Sequence, residues 1–345
     1  MMVHIPNTFA LTVTYGDRYM FLQQVVSGVF ANGVQKVIIV DNGSAGASKR
    51  AIQKLELDSS GRVTVVALAE NRGSAGGFKA GLEYARTCSD CEYIWLLDDD
   101  NWPADGALAA LLNEYGKLSR AVELDRLALV SLRRDQGYYS RIAQGVPPNK
   151  VFARKSSFMG FHFLDQPRKF SEFFHLHRVI RKSAISGSPI EIPFAPYGGL
   201  FFHKSVVSKL GYPDERFFLY CDDTEYTYRL TKSGGRLFLI PSSVVHDLER
   251  PWHILKKGET FFSHLLIADS DLRIYYVTRN QSYLERHFWM HSLITYTFNK
   301  WAFFLVLSLF ALKHGKWKRV TLIARAVGQG EGGELGRLEE LDNTQ

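Results

Sequence analysis

The sequence lacks most of the features that mark a secreted or membrane-spanning protein. Its three cysteines, Cys88, Cys91 and Cys221, are too few for a disulfide framework. Cys88 and Cys91 form one CxxC with no second pair, which reads as chance spacing rather than zinc or redox chemistry. The N-terminal stretch MMVHIPNTFALTVTYGDR has neither the basic start nor the long apolar core of a signal peptide, so a cytosolic protein is expected. The longest apolar run, Trp301 to Leu312, broken only by Ser308, falls short of the roughly 20 residues that a bilayer span needs. No glycine-rich loop matches the dinucleotide fingerprint or the Walker loop. Negative charge is missing from one long stretch: no acid lies between Glu285 and Glu331, where Arg286, Lys300, Lys313, Lys316, Lys318, Arg319 and Arg325 fall.

What is present is an ordinary globular composition, 46% hydrophobic and 22% charged over 345 residues, with a net charge of +7. That length suits one large domain with an appendage, or two domains. The acid-free stretch is rich in aromatic and apolar residues. It is expected to be an interfacial helix on a membrane surface, the plain alternative being a core helix with a basic end. From Val327 onward the Gly-rich, acidic run is expected to be a mobile tail.

The first hundred residues alternate apolar runs with amphipathic stretches: ALTVTY, a helix around Phe21 to Phe30, VQKVIIVDN, a helix near Ser48 to Leu57, VTVVAL, a helix over Phe78 to Arg86, then YIWLL. This order predicts an α/β fold with a parallel sheet covered on both faces. Ligands of such sheets collect at the carboxyl ends of the strands. Thr14, then Asp41-Asn42-Gly43-Ser44, then Glu70-Asn71-Arg72-Gly73, then Asp98-Asp99-Asp100 stand there. Residues 135–195 have no clean periodicity and resemble an insertion carrying loops over a site.

The apolar strand YIWLL running into three carboxylates needs a neutralising cation, and a divalent metal with oxygen preference is the usual partner. The glycine-rich NRGSAGGF before a helix suits phosphate binding, though structural turn glycines explain it equally well. A second acidic cluster, Asp222, Asp223 and Glu225, follows the aromatic run FFLY. Either Asp can cap the next helix, and Glu225 is spaced to face Arg229 along it. His246 ends another apolar strand and is a candidate metal ligand or proton carrier.

The series VDNGS, NRGSAGGF, WLLDDD, GGLFF, YCDDTEY and a strand-end His resembles the inverting family 2 glycosyltransferases over about residues 8 to 280. With YYVTRN (Tyr275 to Asn280), it is most similar to their galactofuranosyltransferase and rhamnosyltransferase branch. The resemblance implies the GT-A fold, with a catalytic domain over 1–250, a C-terminal helical segment over 251–326 and the tail over 327–345. It implies Mn2+ or Mg2+ held by Asp98, Asp100 and His246, and a nucleotide lined by Thr14, Asp41, Asn71, Arg72, Asp98 and Asp99. It makes Asp223 the base that deprotonates the acceptor hydroxyl, with Asp222 and Glu225 positioning the acceptor or holding Asp223. Cys221 departs from the bulky or polar residue frequent among relatives. The implied donor is a UDP-sugar, first UDP-galactofuranose, then dTDP-rhamnose or UDP-galactopyranose. The implied acceptor is a saccharide, lipid-pyrophosphate-linked as in O-antigen synthesis, at the cytoplasmic face of an inner membrane; no nucleic acid is expected.

Three other readings compete. A haloacid-dehalogenase-type phosphatase also places a DxD after an apolar strand, but expects Thr or Val where Trp102 stands. A sugar nucleotidyltransferase wants a basic Gly-rich loop on its first strand, which Thr12 to Asp17 does not supply. A non-catalytic nucleotide-sugar-binding subunit would keep the fold without turnover.

Overall fold

The computed structural model describes residues 6–165, 187–250 and 259–338. These fall into two compact units, one drawn from Met1–Val146, Ala184–Phe218 and Asp222–Arg250, the other from Pro147–Ser183, Leu219–Cys221 and Pro251–Gln345. Parts of the expected insertion (166–186), of the C-terminal segment (251–258) and of the tail (339–345) lie outside the described residues.

In the first unit the four apolar runs form β1 (Thr8–Gly16), β2 (Lys36–Ser44), β3 (Val63–Ala67) and β4 (Tyr93–Asp98), all parallel, in the order β3-β2-β1-β4. Helices Tyr19–Ala31, Gly46–Asp58 and Gly73–Thr87 make the crossovers that parallel pairing requires. Five more strands, β5 (Asn101–Pro103), β6 (Leu127–Arg133), β7 (Ile190–Glu191), β8 (Leu200–His203) and β9 (Arg236–Asp247), extend the sheet to nine. The GGLFF strand, β8, runs antiparallel between β4 and β6. Trp95 and Leu97 of β4 are fully buried with Leu22, Val26, Leu111 and Phe201, which is why this run is apolar throughout.

The helix expected over Phe78 to Arg86 begins earlier, at Gly73. Its glycines bring it close to the sheet: a Cβ on Gly77 would lie 2.5 Å from Val13, and one on Gly81 2.3 Å from Leu11. Gly73 itself has φ +71 and abuts the Phe218 carbonyl, where a Cβ would stand 1.9 Å from the oxygen. NRGSAGGF therefore packs a helix onto β1 and β2.

The second unit is helical: Phe261–Ile267, Asp271–Leu284, Leu293–His314 and Trp317–Gly332. Phe158, Leu266, Ile274, Phe303, Leu307 and Ile323 form its core. Glu285, in a single π turn, is buried and accepts hydrogen bonds from the Met159 and Gly160 amides at 2.8 and 3.2 Å; burial pushes its carboxyl up to about 7. YYVTRN is absorbed here. The buried Arg279 guanidinium lies over the Tyr275 and Tyr276 rings and donates to Asn280 Oδ1 at 2.8 Å. The Asn280 amide then donates to the Leu219 and Tyr220 carbonyls.

Two expectations about this unit are corrected. Asn299 and Lys300 interrupt the apolar run but not the helix, which extends over 22 residues and is long and apolar enough, by length and composition alone, to cross a membrane. The tail does not begin at Val327 either. The last helix continues to Gly332, where Glu331 pairs with Lys300 at 2.8 Å, and a Cβ on Gly330 would collide with the Arg279 carbonyl. A glycine-rich sequence here serves close helix packing.

Candidate active site

Parallel register brings the polar strand ends of the first unit to one edge. Thr14 pairs with Asp41 across β1 and β2, and Val13 pairs with Asp98 across β1 and β4. Asp41 is buried, and its Oδ1 accepts from the Ser44 amide at 2.8 Å, holding the last residues of β2. Asn42 organises the neighbouring loop. Its amide nitrogen donates to Asn71 Oδ1 at 3.2 Å and the Gly73 carbonyl at 2.9 Å, and its oxygen accepts from the Arg72 amide at 2.8 Å. Arg72 is half exposed and pairs with Glu215 at 2.7 Å, so its charge already has a partner in the fold.

The three consecutive aspartates have different fates. Asp99 turns inward, accepting from Thr14 Oγ1 at 2.7 Å and Arg18 Nε at 2.9 Å. Thr14 and Asp99, both expected along the nucleotide, are buried and bonded to each other at the end of β1. Asp98 and Asp100 remain closer to solvent, Asp98 with its side chain 39% exposed. Arg18 reaches Asp100 at 3.4 Å and Glu249 at 2.7 Å, while Arg133 reaches Asp98 at 3.3 Å. Two arginines therefore offset the repulsion within the cluster. Burial still dominates, pushing Asp99 up to about 6 and Asp100 up to about 7, the latter helped by the charges of Asp98 and Asp99. Neither arginine was singled out from the sequence, because each comes from a strand or turn remote in the chain.

His246 stands at the same end of β9. It lies opposite Trp102 in the β5–β9 ladder, ring centroids 5.8 Å apart. The next residue, Asp247, occupies the other face of the strand. It accepts from Arg133 Nη2 at 2.6 Å and from Asn101 Nδ2 at 3.0 Å, in the same network as Asp98. A shift of one residue along a strand moves a side chain to the opposite face, and sequence alone does not set that register. Among the described residues no group of three or more His, Cys, Asp or Glu is placed to hold a metal. With its ring against Trp102, His246→Ala is expected to leave Mn2+-dependent nucleotide affinity within about twofold, whereas Asp247→Ala should cost about 1.5–3 kcal/mol of stability by removing the closest partner of the buried Arg133 charge and leaving it the 3.3 Å contact to Asp98. Calorimetry and thermal melts check the pair.

Gly198, at the start of GGLFF, forms a wall of this network. A Cβ there would stand 2.1 Å from Asn101 Oδ1, 2.5 Å from Arg133 Nη1 and 2.8 Å from Asp98 Oδ2.

The second acidic cluster opens the helix Asp222–Lys232, whose N-terminal dipole favours negative charge. Asp222 is buried and accepts from Ser74 Oγ at 2.9 Å; burial and the neighbouring Asp223 hold its carboxyl far above the usual range. Asp223 accepts from the Thr224 amide at 2.6 Å, and burial pushes it up to about 6, with the Asp98 charge contributing. That influence couples the two acidic clusters. Glu225 is not part of it: Arg229 holds both its oxygens at 2.9 Å and also donates to the Leu210 and Tyr212 carbonyls. The expected helix-face pair is present, and it ties Glu225 into the fold instead of toward Asp223.

The layered α/β sheet thus gathers its carboxylates at the carboxyl ends of the strands, the edge where ligands of such sheets bind. Residues 10–210 match the family described as glycosyl transferase family 2, and the chain belongs to that family and is a glycosyltransferase. It is 24% identical over 236 residues to the galactofuranosyltransferase GlfT1 of Mycolicibacterium smegmatis, covering 68% of each chain. Among solved structures it is similar to GalNAc-T7 crystallised with UDP, GalNAc and Mn2+, at TM-score 0.50 and 14% identity; the match covers 80% of this chain and spans about half, 51%, of that one. The mannosyltransferase PcManGT of Pyrobaculum calidifontis, solved with GDP-Man and Mn2+, aligns at TM-score 0.48 and 15% identity, over 95% of this chain and 87% of that one. The fold is the expected GT-A type, a mixed sheet flanked by helices.

Proposed function

We propose that this chain transfers a hexose, first galactofuranose from UDP-galactofuranose, onto a hydroxyl of a growing bacterial cell-surface polysaccharide, with inversion at the sugar carbon. One observation carries the reading: within the unit that matches the family, parallel register brings Asp98 to the strand-end edge beside Val13, and Ser74, at the start of the helix packed on β1, holds Asp222, so both acidic clusters attach to the same strand-end region. The galactofuranosyltransferase relative supports the choice of sugar, with rhamnose or galactopyranose as the next candidates.

Asp98 and Asp100 suit a divalent cation. Both are oxygen donors, the less enclosed members of the DDD cluster, and Mg2+ or Mn2+ commonly takes one or two carboxylates and completes its shell with phosphate oxygens and water. Such a cation would neutralise the departing nucleotide diphosphate. The chain's own residues do the rest. Arg133 and Gly198 fix the orientation of Asp98, and Arg18 bears on Asp100. Asp41 and Asn71 line the nucleotide side. Asp223 takes the proton from the attacking hydroxyl, with Asp222 beside it held by Ser74 at 2.9 Å. The acceptor is read as a lipid-pyrophosphate-linked saccharide met at the cytoplasmic face of a membrane.

Calorimetric titration with UDP, dTDP and GDP, each with Mn2+ and with EDTA, tests the donor side. Selective, Mn2+-dependent UDP binding is expected. Binding indifferent to EDTA would remove the cation from the reading, and selective binding of dTDP would move the donor to rhamnose.

A further inference from the structure

The helix Leu293–His314 is apolar on two opposite faces. Its inward face, Tyr296, Asn299, Phe303, Leu307 and Ala311, is fully buried. Its outward face carries Ile294, Phe298, Trp301, Leu305, Leu309 and Leu312 at spacings of three and four residues, so they form one stripe. Each of these six is between 56% and 85% exposed. Single exposed apolar residues are ordinary, whereas a continuous stripe along a whole helix marks an interaction surface.

Charge identifies what the stripe faces. Lys313, Lys316 and Lys318 are exposed at its C-terminal end, and none of them pairs with a carboxylate among the described residues. Other cations of the stretch are already engaged, Lys300 by Glu331 at 2.8 Å and Arg319 by Asp271 at 2.6 Å. The surface is therefore apolar with a basic end and no acid from 286 to 330. A second copy of the same face would bring like charges together, whereas an anionic lipid surface complements both properties.

We propose that this face docks on an anionic bilayer with the helix lying in the membrane plane, sunk into one leaflet. Length would also allow crossing, but the inward side forbids it. Asn299 donates to the Ser156 carbonyl at 2.8 Å and accepts from the Phe163 amide at 3.0 Å, and Lys300 is paired with Glu331. Crossing would strip these groups of their partners inside hydrocarbon; lying flat leaves every one in place. The inference rests on the lipid-linked acceptor for its use in the cell, but its test does not involve sugar transfer.

The full chain is mixed with phosphatidylcholine vesicles with and without phosphatidylglycerol, and flotation and tryptophan quenching by brominated lipids are read. Binding that needs phosphatidylglycerol and falls with salt is expected, with Trp301 quenched by bromines near the headgroups and this signal lost in Trp301→Phe. The triple variant Phe298→Glu, Leu305→Glu, Leu309→Glu should float at least about 100-fold more weakly, because binding scales with the apolar area inserted. Lys313→Ser, Lys316→Ser and Lys318→Ser should each cost a factor of about five on anionic vesicles. All these positions are exposed, and unchanged melting temperatures and UDP binding would show that the fold persists. No binding of the wild type to anionic vesicles, equal binding by the triple variant, or strongest quenching from the bilayer centre would overturn the proposal. So would a lipid-free dimer that the triple variant abolishes without any vesicle binding by the wild type. UDP binding without vesicle binding would leave the transferase reading standing and sink only the docking surface.

Discussion

Asparagine in place of Asp223 is expected to slow sugar transfer by about 10²–10⁴-fold, the contribution of a positioned general base, while nucleotide binding with Mn2+ stays within about twofold. The substitution keeps the size of the side chain and its acceptor for the Thr224 amide, so the fold has no reason to change. The pH profile supplies a second readout. Burial raises the Asp223 carboxyl to about 6, and a base works only when ionised, so transfer should rise with pH through about 6 and level off above it. In Asp223→Asn that limb should vanish from the residual rate. Nucleotide binding lost as completely as transfer would show that Asp223 serves the donor, and the division of labour between the two clusters would fall.

Alanine in place of Asp100 is expected to do the reverse. It removes one of the two carboxylates proposed to hold the cation, and Mn2+-dependent UDP affinity should drop about 100-fold, or about 2.7 kcal/mol. UDP binding measured in EDTA should not change. The fold should tolerate the loss, because Arg18 keeps Asp99 and Glu249 as partners and one of three crowded acids is gone. Burial and the neighbouring charges hold Asp100 at about 7, so loading a cation must expel a proton, and cation affinity should weaken as pH falls below about 7. An Asp100→Ala protein that binds UDP and Mn2+ as the wild type does would place the cation elsewhere.

The site was only partly legible in the sequence, and the two clusters show where legibility ended. Both DDD and DDxE stood out because charge after an apolar run is costly and needs a reason. Their counter-charges did not stand out. Arg18 follows β1 and Arg133 ends β6, and nothing local marks them as partners of Asp98 to Asp100. Glu225 went the other way. Its helical spacing to Arg229 was readable, and that local pair occupies both of its oxygens.

The sequence by itself determined the order of strands and helices in the first hundred residues and the edge on which their polar ends meet. Apolar period and turn residues act over a few positions and are written in the chain. It also determined the acid-free, aromatic character of the C-terminal stretch. Only the tertiary structure decided which of two neighbouring side chains joins the Arg18 and Arg133 network. Strand register put Asp247 rather than His246 beside Arg133, and the turn after β4 directed Asp99 inward to Thr14 and Arg18. Tertiary packing also decided that the helix Leu293–His314 buries one apolar face and leaves the other in contact with solvent. Those outcomes depend on contacts between residues far apart in sequence, and a one-residue shift in any of them would reverse the assignment.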